Sequence, residues 1–86
     1  MDLDALLRHY FGTTDLETVD APGLEHGRQR LGVDFGVERD PGRRFALWAL
    51  MHSLGAAPDP ASAFKDPRER DAADLYARMA GRAADR

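Results

Sequence analysis

Residues 45–54, FALWALMHSL, place an apolar side chain on nearly every side of a helix. Phe45, Trp48 and His52 share one face; Leu47, Leu50, Met51 and Leu54 share another. A helix that is hydrophobic all round is buried over most of its surface. In a chain of 86 residues such a helix belongs at the centre of the core, with the other elements packed around it. The run is far shorter than the ~20 residues of a membrane span. Asp40-Pro41 supplies a cap and a proline at the first helical position, and Gly55, with Pro58 beyond it, supplies the stop. The spacing predicts a helix over residues 41–54.

The rest of the chain offers elements that can cover this helix. Leu3, Leu6, Leu7, Tyr10 and Phe11 recur on one helical face, so a helix is expected over 2–11, capped by Asp2 and ended by Gly12. Thr14 and Glu17 match a capping box for a short turn that points Leu16 and Val19 inward. Asp20 with Pro22 opens a helix over 21–38, with Leu24, Gly27, Leu31 and Phe35 on one side. A strand competes there, because Leu31, Val33, Phe35 and Val37 alternate. Gly27, Gly32 and Gly36 also disfavour a helix by ~1 kcal/mol each. No second strand signal exists to pair with it, and a lone strand leaves its backbone groups unsatisfied. Helix is therefore the expectation.

Asp59-Pro60 starts a single turn, with Phe64 as an anchor into the core. Asp66-Pro67 opens the last helix, over 67–84. Its inward stripe is expected to be Ala72, Leu75, Tyr76, Met79, Ala80 and Ala83. Arg70 with Asp74, and Asp74 with Arg78, are expected as pairs on the solvent side. The fold class is all-α: one helical domain over 1–86, with four main helices (2–11, 21–38, 41–54 and 67–84) and one or two short turns.

Charge and composition narrow the function. The net charge of −3 disfavours broad electrostatic binding of nucleic acid or an anionic membrane. The chain has no cysteine, which removes disulfides and thiolate metal sites and fits a reducing compartment. The acidic start, MDLDALL, lacks the basic lead-in of a secretory signal, so the cytoplasm is expected. Lys65 is the one lysine among 12 basic residues, alanine is abundant, and isoleucine and asparagine are absent. Such usage reads as a GC-rich bacterial genome and makes arginine a generic surface cation.

No residue pattern specifies chemistry. His9, His26 and His52 share no ligand spacing, and no carboxylate stands one turn from His52. Asp2, Asp15, Asp20, Asp40, Asp59 and Asp66 all fall at helix starts, where capping explains them. Neither Ser53 nor Ser62 stands in a nucleophile pattern, and no glycine-rich phosphate loop occurs. No catalytic residue, cofactor site or metal site is expected. Two constellations remain. Arg39, Arg43 and Arg44 crowd the start of a helix and form a candidate anion site, unless Asp34, Glu38 and Asp40 neutralise them. Trp48, with Phe45 and His52, is an anchor either of the core or of an interface. The expected function is a protein–protein interaction or regulatory module whose partner is another protein or a second copy. The alternative is a nucleic-acid-linked or anion-binding regulator using residues 39–44. A small enzyme or ligand-binding protein comes last.

Overall fold

The computed structural model describes residues 3–84, with side chains over 3–80. The elements run α1 (Leu3–Phe11), a 3-10 turn (Leu16–Thr18), α2 (Ala21–Val37), α3 (Pro41–Ser53), the short α4 (Pro60–Ala63) and α5 (Pro67–Ala84). Among the described residues there is no strand. The alternation over 31–37 is carried by a helix: Leu31 and Phe35 are buried one turn apart, while Val33 and Val37 point to solvent.

Aspartates set the boundaries. Asp20 Oδ1 accepts from the Gly23 N–H at 2.8 Å, and Asp40 Oδ2 accepts from the Arg43 N–H at 2.8 Å. Asp66 Oδ1 accepts from the Arg68 N–H at 2.9 Å. Each satisfies a donor that the first helical turn leaves unpaired. Asp59 precedes Pro60 but makes no such bond. The 3-10 turn departs from the expected capping box: Asp15, not Thr14, is its cap, and Asp15 Oδ1 accepts from the Glu17 N–H. A carboxylate two residues before that N–H reaches it in a tight turn, whereas Thr13 Oγ1 takes the N–H of Asp15 itself. At the end of α3 the chain turns through Gly55 at φ 72°. There the Ala56 N–H bonds the Met51 carbonyl at 2.9 Å and the Gly55 N–H bonds the His52 carbonyl at 3.0 Å. These two bonds form a Schellman stop, which needs a residue that tolerates positive φ. The expected Asp2 cap lies outside the described residues.

α3 packs against α1, α2 and α5 and is the centre of the fold. Leu47, Trp48, Ala49, Leu50 and Met51 are all buried, covering every direction around the axis. They join Leu6 and Tyr10 of α1, Leu31 and Phe35 of α2, Ala63 and Phe64 near α4, and Ala73 of α5 in one cluster. The stripe expected on α5 is rotated. Ala73 is fully buried and Tyr76, Ala77 and Ala80 are half-buried, while Ala72, Leu75 and Met79 are exposed. Alanines on the inner side let α5 lie close to α3 beneath the aromatic rings, and that fit outweighs the larger apolar area of Leu75 and Met79. Ala83's side chain is outside the described ones. Nor are the expected pairs of Asp74 recorded as ion pairs among the described residues. Arg78 Nε instead donates to the Asp74 carbonyl at 3.4 Å, and Arg70 is half-buried.

α1 crosses α2 at Gly27, which is buried beneath the Phe11 ring. A Cβ there would overlap the edge of that ring, well inside van der Waals contact. Gly36, by contrast, faces open space. Gly27→Ala is therefore expected to lower stability by ~1–3 kcal/mol through overpacking, despite its better helix propensity. Gly36→Ala should raise it by ~0.5–1 kcal/mol. Urea denaturation of both variants checks this; a Gly27→Ala protein as stable as wild type would contradict the crossing.

Candidate functional site

The three arginines at the junction of α2 and α3 are divided by the local fold. Glu38 Oε2 accepts from the backbone N–H of Arg39 at 3.1 Å, and Glu38 Oε1 pairs with Arg43 Nε at 2.6 Å. Arg44 turns away from this pair. Its Nη1 donates to the Ala63 carbonyl at 2.6 Å, and its guanidinium lies 4.2 Å from the Phe35 ring centre and 5.3 Å from that of Phe64. A flat guanidinium stacks on rings and caps a carbonyl at once, so Arg44 ties α3 to α2 and to the end of α4. Arg39 is exposed. The cluster is thus one exposed cation, one ion pair and one packing residue.

Trp48 is a core residue, 1 % exposed. Its Nε1–H donates to the Pro58 carbonyl at 2.9 Å, which satisfies the one polar group of a buried indole. Phe45, Phe64 and Tyr76 surround it, with ring centres 5.8–6.0 Å away. His52 stacks on it at 5.4 Å and meets Tyr76 edge-on at 5.9 Å. Phe45 and His52 are half-buried. The imidazole sits among rings, and among the described residues no carboxylate pairs with it to orient it as a base. Among the described residues no group of three His, Cys, Asp or Glu side chains could hold a metal ion.

A polar pair that sequence spacing does not reveal joins α1 to α2. The Tyr10 hydroxyl donates to Asp34 Oδ2 at 2.6 Å, and the Arg30 guanidinium lies 5.6 Å from the Tyr10 ring centre. Burial, and then the hydrogen bond to the Asp34 carboxylate and its charge, push the Tyr10 phenol up to about 12, while Arg43 and Arg30 act in the opposite direction. Losing the proton would place a second anion against Asp34 inside the fold.

Among the described residues, two helix faces expose large apolar side chains. On α2, Val33 is 66 % and Val37 72 % exposed. A shallow groove of about 320 Å³ runs beside Val33, lined by His26, Gln29, Arg30 and Asp34. On α5, Leu75 is 54 % and Met79 61 % exposed. Sequence reading missed both as surfaces, because Val33 and Val37 look like strand alternation and Leu75 and Met79 look like core.

The raised Tyr10 phenol has a pH consequence. Its folded value lies above the ordinary value near 10, so its contribution to stability is complete below pH ~10 and is lost between pH ~10 and ~12. In a Tyr76→Phe protein, where Tyr10 is the sole tyrosine, alkaline absorbance should show ionisation at about 12. Asp34→Ala added to it should lower that value part of the way, because burial remains. Ionisation at the ordinary value in the folded Tyr76→Phe protein would contradict the pair. Compared with protein-family models, curated proteins and solved structures, the chain matches none.

Proposed function

We propose that this chain is a protein-interaction module that docks an amphipathic helix of a partner protein along the outer face of α2. The observation that carries the reading is the exposure of Val33 and Val37, one turn apart, in line with the groove at His26 and Gln29. Residues 26, 29, 33 and 36 step by alternating threes and fours, the spacing of a helix–helix seam. Gly36 adds no side chain there, so a partner helix can approach closely. Arg30 borders the groove. The matching partner helix carries apolar residues at the same spacing and a carboxylate toward Arg30.

Catalysis finds less support. His52 stacks on Trp48 and meets Tyr76 edge-on, and in the polar pair the Tyr10 hydroxyl is buried and already engaged by Asp34. The arginine cluster, the basis of a nucleic-acid-linked or anion-binding role, has Arg43 in an ion pair and Arg44 in packing. No helix among the described residues is long and apolar enough to cross a membrane. We place the module in the cytoplasm of a bacterium, on its lack of cysteine and its arginine-rich, asparagine-free composition.

The test compares proteins retained by the wild-type chain with those retained by a Val33→Glu, Val37→Ser double variant of equal helix content. A partner held by the wild type and lost from the variant supports the reading, and its contact segment should be an amphipathic helix. Equal retention by both would overturn it. Retention that survives the valine changes but is abolished by Arg39→Ala with Arg43→Ala, and by moderate salt, would move the function to the arginines.

A further inference from the structure

The inner side of α5 is Ala73, Tyr76, Ala77 and Ala80. Its outer side is a second seam. Arg68, Ala72, Leu75 and Met79 are all exposed and step by four, three and four residues. That is the 3.5-residue repeat by which one helix follows another. Asp71 and Arg78 stand on one flank of the seam, each one residue before an apolar position, Ala72 or Met79. Both are exposed, and neither forms an ion pair with another side chain among the described residues. Lying two turns apart, they are separated by roughly 10 Å along the axis and cannot pair with each other.

We infer that α5 pairs antiparallel with α5 of a second copy of this chain. The arrangement of charge selects both the occupant and the direction. When Leu75 of one copy packs on Ala72 of the other, the two-fold axis brings Leu75 of the other copy onto Ala72 of the first. Large meets small in two adjoining layers. The same register sets Asp71 opposite Arg78 of the second copy, and Arg78 opposite its Asp71. Met79 then covers the aliphatic stem of Arg68 of the second copy. A parallel pair would place Asp71 beside Tyr76 and leave the acid unmatched. The contact is a single helix wide, well under the ~1,600 Å² of a standard interface, so association is weak and depends on concentration.

This surface is separate from the α2 groove, so either can fail without the other. It is tested on the full-length chain by sedimentation equilibrium from about 5 μM to about 1 mM, the span over which a weak interface fills. The wild type should pass from the 9.5 kDa monomer to twice that mass within this range. Leu75→Glu should stay monomeric throughout, with unchanged far-ultraviolet circular dichroism. Asp71→Arg alone and Arg78→Asp alone should each weaken the dimer roughly tenfold, because the two-fold axis counts each change twice. The double exchange, Asp71→Arg with Arg78→Asp, should restore it. A wild type that remains monomeric at the top concentration overturns the inference. So does a dimer that survives Leu75→Glu, or a double exchange no stronger than its single parents.

Discussion

The fold depends on burying the Trp48 indole without stranding its N–H. The Pro58 carbonyl, 2.9 Å away, takes that hydrogen bond from a segment just beyond the end of α3. A bond of this kind in a water-poor interior fixes both partners, because leaving either unsatisfied costs ~1–3 kcal/mol. With residue 58 held there, α4 is brought over the core and Phe64 reaches the rings of Trp48, Phe45 and Phe35. Arg44 then closes the same junction from the α2 side, stacked on Phe35 and bonded to the Ala63 carbonyl. One indole thus positions the connection that brings α5 against α3. The proline-punctuated stretch 58–67 reads as a loop yet behaves as a clamp.

What was legible in the sequence was whatever depends on neighbours along the chain. Asp20, Asp40 and Asp66 mark helix starts because a carboxylate meets the unpaired N–H groups a few residues on. Gly12 and Gly55 mark ends because both adopt positive φ. The continuous apolar run at 45–54 could only be central. Phe64, isolated between prolines, was readable as an anchor for the same reason.

What was hidden depends on residues distant in the chain. α5 carries two interleaved apolar rows, and hydrophobicity alone favours the row with Leu75 and Met79. The packing distance to α3 favours the row of alanines. The Tyr10–Asp34 bond spans 24 positions and has no local signature. Arg43 and Arg44 are identical neighbours in sequence, yet a helix turns them roughly 100° apart, one to Glu38 and the other to Ala63. A cluster of charges in a sequence therefore need not be a cluster in space. The surfaces left for a partner are the ones that the core did not need.

In this fold α3 is interior, and the surfaces we propose for contacts with other molecules lie on α2 and α5. The emission of Trp48, the single tryptophan, reports on this directly. Measured over the same dilution range in which the α5 pair dissociates, it should be blue-shifted and should not move. The indole is 1 % exposed in the isolated chain, so separating copies changes nothing around it. Emission that shifts to the red on dilution, while helix content stays constant, would make Trp48 part of the interface and α3 a contact surface, the opposite of a buried central helix.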